Sequence, residues 1–150
     1  MNIFASQDCS MKIKLFLLLI LMSFESFGKT IPKKDTITVY EVYEYIKCSG
    51  ILHPEIVLRQ AIWETGWFKS RHALEKNNLF GFRYTKKYMS FENWQSCVNY
   101  YKSWQERKYT NKQEDYYKFL IRIKYATSAK YISCLKSLRL EIPQIECNEK

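Results

Sequence analysis

The sequence predicts a mostly α domain with a minimal or absent β hairpin. Glycine and proline, the residues that most often interrupt helices, are scarce, at 4 and 3 residues in 150. Apolar residues recur at spacings of three and four through most of the chain after residue 37, which is the period of a helix with one buried face. Only a short polar stretch over residues 83–90 offers room for strands.

Residues 1–28 have the pattern of a signal peptide. Lys12 and Lys14 precede an unbroken apolar run over 15–22, and Ser26 and Gly28 supply small residues where a signal peptidase cuts. The run is too short for a membrane span, which needs about 20 apolar residues. An alternative start at Met11 would make residues 1–10 an over-extended gene start. We therefore expect an exported protein, in the periplasm or outside the cell, without a stable membrane anchor.

The chain carries a net charge of +9, and the leader contributes nothing to it because its two lysines cancel Asp8 and Glu25. A basic protein favours an anionic partner. For an exported protein, cell-wall polymers and lipid headgroups are the first candidates. Nucleic acid is not expected, since the sequence has no zinc-finger spacing and no RNP-like aromatic motif.

Four cysteines follow the leader: Cys48, Cys97, Cys134 and Cys147. In an exported chain they permit two disulfides with three possible pairings, and the alternative is that some are buried packing residues. They form no CxxC pair, and the two histidines of the chain are too isolated to build a metal site. We expect no metal and no cofactor, and a cysteine protease is disfavoured.

Helices account for the first half of the domain, which we bound at residues 37–140 after a lead-in over 29–36. The first helix is predicted over 38–47, with Gly50 as its stop signal. Pro54 opens the second helix, at a position where its missing N–H costs nothing, and this helix is predicted to reach about Ser70. A short third helix is predicted over 71–76.

The second half begins where residues 77–82 break the helical period, with asparagines that tolerate a left-handed backbone. Residues 83–90 are predicted to form a polar loop or a minimal hairpin. Ser90 is predicted to cap a long helix over 91–108. Two further helices and a tail complete the prediction, over 115–125, 128–138 and 141–150.

Glu64 is the candidate catalytic residue, because it is an acid in an aromatic stretch that includes Trp63, Trp67 and Phe68. A carboxyl desolvated by aromatic rings favours its neutral form, so its pKa rises. A raised pKa lets a carboxyl hold a proton near neutral pH and act as a general acid. The alternative is an ion pair at the helix edge, with the possible partners Arg59, Lys69 and Arg71.

Three segments follow one another in a specific order: QAIWETG at 60–66, NNLFGF at 77–82 and YATSAKY at 125–131. Together they resemble the glucosaminidase family of peptidoglycan hydrolases, which includes flagellar and autolysin-type domains. The segment at 90–104 also resembles the helix that these domains place after the substrate loop. The likeness covers about residues 51–138.

The resemblance implies a lysozyme-like α fold with a cleft that cleaves β-1,4 bonds next to N-acetylglucosamine in peptidoglycan. It identifies Glu64 with the general acid of the family and Tyr131 with a tyrosine in the cleft, where a phenol orients the acetamido group or water. The protein would act as a monomer on glycan strands.

The resemblance also implies a set of substrate-binding residues. Asn77, Asn78, Phe80 and Gly81 would form a wall of the glycan groove, although a plain turn between helices is the alternative. Tyr125 joins this set through the third segment. Trp67, Trp94 and Trp104 have the planar faces that stack on sugar rings, although tryptophan at helical spacing is more often a core residue.

One departure from the family pattern is the absence of Asp and Glu between Phe82 and Phe91, where family members commonly carry a second acid. Glu92 is the nearest acid and is expected in the first turn of the next helix. Three interpretations remain: the acetamido group of the substrate is the nucleophile, Glu92 swings in, or the protein binds glycan without cleaving it. A cationic membrane-active protein is disfavoured, because the basic segment 116–136 carries core-like tyrosines and aliphatic residues.

Overall fold

The structure is a computed structural model that describes residues 36–147, and within this range the expected mostly α fold with a minimal hairpin is confirmed. The expected signal peptide, most of the lead-in and the last three residues of the tail lie outside the described residues. The helices are α1 (Val39–Cys48), α2 (Pro54–Thr65), α3 (Arg71–Lys76), α4 (Trp94–Lys108), α5 (Tyr116–Arg122) and α6 (Tyr131–Ser137). Strands β1 (Arg83–Tyr84) and β2 (Lys87–Tyr88) pair antiparallel.

Helix α1 begins and ends close to the predicted bounds. The hydroxyl of Thr38 accepts a hydrogen bond from the backbone N–H of Glu41, and the Glu41 carboxylate accepts one from the N–H of Thr38. This reciprocal pair is a capping box, which satisfies two backbone donors at once. Val42, Tyr43 and Ile46 then lie on the buried face of α1, where helical spacing places them.

Helix α2 ends at Thr65, so the predicted extension to about Ser70 was wrong. Gly66 adopts the left-handed conformation, its N–H bonds to the carbonyl of Trp63, and the N–H of Trp67 bonds to the carbonyl of Ile62. These two bonds form the Schellman motif, which glycine favours because it has no Cβ to clash. The helical face that was expected to continue from Glu64 to Trp67 therefore does not exist.

Helix α4 begins at Trp94, and the prediction of Ser90 as its N-cap was wrong. Asn93 is the N-cap, and its side-chain oxygen accepts the N–H of Ser96 at 2.8 Å. The backbone just before Asn93 makes a different contact, because the N–H of Phe91 donates a hydrogen bond to the carbonyl of Lys76. Glu92 consequently precedes the helix, and its expected place in the first turn was also wrong.

The two C-terminal helices form inside the predicted ranges but are shorter at both ends. Asp115 caps α5 by accepting the N–H of Lys118, and the helix stops at Arg122, two residues before Lys124 turns left-handed. Helix α6 starts only at Tyr131, which places this tyrosine at the helix N-terminus. No helix within residues 36–147 is long and apolar enough to cross a membrane.

The expected tail packs back onto α1. Residues 141–147 have no regular structure, yet Ile145 is buried and its carbonyl accepts a hydrogen bond of 2.7 Å from the Lys47 ammonium. Cys147 forms a disulfide with Cys48 at the C-terminal end of α1, whereas Cys97 and Cys134 are free thiols. The disulfide joins the end of the first helix to the end of the described chain.

We predict that the disulfide contributes substantially to stability, because it closes a loop with a sequence separation of 99. Replacing both cysteines, as Cys48→Ser with Cys147→Ser, should lower the free energy of unfolding by about 2–4 kcal/mol. Urea unfolding measures the loss, with Cys134→Ser as the control because Cys134 is unpaired. Finding four alkylatable thiols in the native exported protein would contradict the pairing.

Candidate active site

A cleft with a volume of about 620 Å³ lies beside the hairpin. It contains Glu64 at the end of α2, and aromatic side chains form much of its wall. It is lined by Glu64, Phe80, Gly81, Phe82, Arg83, Tyr88, Trp104, Lys108, Ile123, Tyr125, Ala126 and Thr127.

Glu64 reaches this cleft because α2 stops directly after it. Opposite it, Gly81 lies so close that a Cβ atom there would stand 3.1 Å from the Glu64 carboxylate oxygen Oε2. Gly81 also has a φ of +67°, a conformation that side chains rarely adopt. Gly81 therefore allows the Glu64 carboxyl to approach this loop closely.

The two asparagines of the NNLFGF segment hold this loop in place from behind. Asn78 is buried, its amide donates to the carbonyls of Phe82 and Met89, and its oxygen accepts the N–H of Phe82. Asn77 ends α3 in a left-handed conformation and donates to the carbonyls of Phe91 and Glu92. Neither lines the cleft. Their amide groups stabilise the turn that carries Phe80 and Gly81. This arrangement agrees with the alternative interpretation of the two asparagines, a turn between helices.

Glu64 is an exposed residue that lines the cleft, although protein atoms surround part of its carboxyl. Desolvation raises its pKa above the usual value, and a hydrogen bond with Tyr131 and the positive charge of Arg83 only partly oppose the increase. The alternative of an ion pair at the helix edge finds no support within residues 36–147. Arg59 donates to the carbonyls of Leu135 and Leu138, and Arg71 pairs with Glu75.

Tyr131 and Tyr125 form the floor behind Glu64. Their rings stack with centroids 5.8 Å apart, and the Tyr125 hydroxyl donates to the carbonyl of Phe80 at 3.1 Å. Burial and the neighbouring Glu64 charge raise the pKa of the Tyr131 phenol, so it stays protonated and can donate. The structure thus brings Glu64, Tyr131, Tyr125, Phe80 and Gly81 together.

The tryptophans divide between the cleft and other surfaces. Trp104 lines the cleft and packs edge-on against Tyr125. Trp67 is 46% exposed, has a φ of +62°, and borders a different, apolar pocket of about 180 Å³. Trp94 contacts Tyr45 of α1 and does not line the cleft. Trp67 and Trp94 therefore lie away from the other predicted site residues.

Sequence reasoning missed several cleft residues, among them the polar residues Arg83, Tyr88 and Lys108. Arg83 and Tyr88 are cross-strand partners in the hairpin, and the guanidinium stacks on the tyrosine ring at 4.1 Å. Lys108 follows Trp104 by four residues and so shares its helical face. That spacing was readable in the sequence, whereas the facing of the hairpin toward Glu64 was not.

Glu64 is the one carboxylate among the described residues that line the cleft, and Arg83 and Lys108 are the two cations. Glu92 is exposed before α4 and does not line the cleft. Within residues 36–147, no group of three His, Cys, Asp or Glu side chains is arranged to hold a metal ion.

Comparison with known protein families matches residues 40–142 to the glucosaminidase family, described as mannosyl-glycoprotein endo-beta-N-acetylglucosaminidase. The match covers α1 through α6 and the cleft between them. It confirms the family resemblance and the lysozyme-like fold that the resemblance implies. No curated protein and no solved structure matches the chain.

We predict that Glu64 is a source of instability at neutral pH. A pKa raised in the folded state means that the folded protein holds this proton more tightly than the unfolded chain. Stability is then lost as the pH rises from the unfolded value near 4.5 through the raised folded value. Glu64→Gln should therefore be more stable than wild type at pH 7 and no different at pH 3 to 4. Thermal unfolding at both pH values measures this, and equal stability at pH 7 would contradict a desolvated carboxyl.

Proposed function

The chain belongs to the glucosaminidase family, and we propose that it is an exported glycoside hydrolase that cleaves the β-1,4 bond after N-acetylglucosamine in peptidoglycan. Glu64 is the general acid that protonates the leaving oxygen. The family match supports glycoside hydrolysis in general. The choice of bond rests on the family resemblance, and the choice of substrate and acid rests on the cleft.

The observation that carries the proposal is the environment of the Glu64 carboxyl. It is the one carboxylate lining the cleft of the described chain, it is accessible from that cleft, and desolvation raises its pKa. A general acid must hold its proton at the working pH and release it in the transition state. An ordinary surface glutamate is ionised at neutral pH and therefore has no proton to hold.

The charges of the cleft favour an anionic glycan over a neutral one. Arg83 and Lys108 line the cleft, and neither forms an ion pair within residues 36–147. Peptidoglycan carries carboxylates on its stem peptides, whereas chitin and high-mannose glycans are neutral. The net charge of +9 adds a longer-range attraction toward an anionic polymer.

The nucleophile in this proposal is the acetamido oxygen of the substrate. A retaining enzyme of the usual kind needs a second carboxylate about 5–5.5 Å from the acid, and an inverting one needs it at about 6.5–9.5 Å. The lining of the cleft within residues 36–147 offers none. Attack by the acetamido group needs no such residue.

A second candidate function is a non-catalytic peptidoglycan-binding module of the same fold. The same missing carboxylate favours it, since a cleft with aromatic walls and two cations can hold a glycan without cutting it. The two functions differ in one respect that is easy to measure, the release of soluble fragments.

We predict that Glu64→Gln abolishes most hydrolysis. The amide keeps the size of the carboxyl but cannot deliver a proton, and general acid catalysis typically supplies about 10²–10⁴-fold in rate. Release of muropeptides from purified peptidoglycan should fall by that order. Glu92→Gln is the matched control, since Glu92 does not line the cleft, and it should keep full activity. Equal activity of Glu64→Gln and wild type would rule out the acid, and glycan binding without release by wild type would favour the binding module.

We predict that the first product keeps the β configuration at the new N-acetylglucosamine reducing end. Attack by the acetamido group inverts the anomeric carbon once, and water inverts it again. Proton NMR early in the reaction identifies the anomer, and a thiazoline analogue of the sugar should inhibit. Inverted product would replace the acetamido group with a water held by a base, with Glu92 as the first candidate. A reducing-end N-acetylmuramic acid would contradict the assigned bond.

A further inference from the structure

Four polar side chains are buried in a row beneath the cleft, a feature that the proposed acid alone does not explain. They belong to Gln60 on α2, Tyr101 and Gln105 on α4, and Tyr116 on α5, and none is more than 2% exposed. We call them the amide–phenol chain. Within residues 36–147, no buried side-chain nitrogen or oxygen lacks a hydrogen-bond partner. A fully satisfied buried network of this kind fixes the orientation of its members.

One end of the amide–phenol chain is anchored to the backbone of Leu52. The N–H of Leu52 donates to Gln105 Oε1 at 2.9 Å, and Gln105 Nε2 donates to the carbonyl of Leu52 at 2.9 Å. A backbone N–H can only donate and a carbonyl can only accept, so the Gln105 amide cannot be flipped. Its second Nε2 hydrogen is therefore directed at the Tyr116 hydroxyl oxygen, 2.9 Å away.

The direction of donation is then set at each following step. The Tyr116 hydroxyl oxygen accepts a hydrogen bond from Gln105. The single hydroxyl proton of Tyr116 therefore points to the Tyr101 hydroxyl oxygen, which lies 2.7 Å from the Tyr116 oxygen. The Tyr101 proton in turn has Gln60 Oε1 as its acceptor, also at 2.7 Å. This contact fixes the Gln60 amide with Nε2 toward the Tyr131 hydroxyl, 3.5 Å away. A flipped Gln60 would leave the Tyr101 proton buried without an acceptor, which is unfavourable.

Tyr131 lies at the other end of the amide–phenol chain, and its hydroxyl also has a single proton to donate. Because Gln60 presents a donor to the Tyr131 oxygen, the Tyr131 proton is left for the Glu64 carboxyl. The pKa shifts agree with this direction of donation. The contact with Gln60 lowers the pKa of Tyr131, the contact with Glu64 raises it, and the bond with Tyr131 lowers the pKa of Glu64.

We propose that the amide–phenol chain directs the Tyr131 hydroxyl proton at the Glu64 carboxyl, which makes Gln60 and Tyr101 positioning residues for the acid. Neither touches the substrate. The chain would set how strongly Glu64 holds its proton, by fixing a donor that opposes desolvation. The catalytic meaning of the chain rests on the proposed function, whereas its effect on the titration of Glu64 does not.

The test is the titration of Glu64, followed through its side-chain carboxyl carbon by NMR, in Tyr101→Phe and Tyr131→Phe. Tyr131→Phe removes the donor, so the pKa of Glu64 should rise. Tyr101→Phe leaves the Gln60 amide free to flip and accept the Tyr131 proton, so the pKa of Glu64 should also rise, by no more than in Tyr131→Phe.

Tyr109→Phe is the matched control and should leave the titration of Glu64 unchanged. Tyr109 is equally buried, and its hydroxyl bonds to Glu114 and His53 outside the amide–phenol chain.

The double variant separates positioning from a general loss of packing. If Tyr101 acts through Tyr131, then Tyr101→Phe should add no shift in the Tyr131→Phe background. If Tyr101→Phe does not fold, Gln105→Met tests the anchored end, and a smaller rise in the same direction is expected. An unchanged titration in Tyr101→Phe, or additive shifts in the double variant, would overturn the proposal. A shift in Tyr101→Phe combined with full hydrolysis by Glu64→Gln would instead sustain the chain and refute the proposed acid.

Discussion

The close approach of the Glu64 carboxyl to Gly81 is the contact on which the site depends. A methyl group at position 81 would stand 3.1 Å from the carboxylate oxygen, so only glycine leaves the carboxyl its place. Two local motifs produce the approach. The Schellman motif at Gly66 ends α2 directly after Glu64, and the buried Asn78 amide holds the opposite loop. The site is thus built from backbone turns, and the aromatic walls are packed around them.

This arrangement keeps an acid whose charged form is disfavoured by its surroundings. Desolvation of the Glu64 carboxyl disfavours its charged form, and Tyr131 and Arg83 recover only part of that loss. A core residue or a solvated surface residue at position 64 would avoid the conflict. Strained or destabilised groups persist where function requires them, and this is the general cost of an active site. The buried amides and phenols beneath Glu64 are a similar case, because apolar side chains could fill the same space without the need for a hydrogen-bond network.

The order of the helices, the hairpin and the place of Glu64 in the cleft could be predicted from the sequence, because each depends on local patterns or on an ordered set of motifs. Helix ends were less predictable, since Gly66 and Asn93 compete with nearby residues such as Ser90 that carry similar signals. Trp67 was misplaced for this reason: extending α2 by five residues put it on the face of Glu64. Arg83 was missed because the facing of the hairpin depends on tertiary packing, which sequence spacing does not encode, whereas the four-residue spacing of Lys108 from Trp104 was readable and was overlooked.

The charges around the cleft bear on how a bond could be broken there. The transition state of glycoside hydrolysis carries positive charge on the sugar ring, and a second carboxylate usually stabilises it. Here the described lining supplies two cations, and its one carboxyl must be neutral to act as an acid. In the proposed mechanism the described lining supplies no second carboxylate at the sugar, and the acetamido oxygen of the substrate would take over that stabilising role. An acetamido oxygen that bonds to the anomeric carbon spreads the positive charge into its own amide, a role that the second carboxylate has in other glycoside hydrolases.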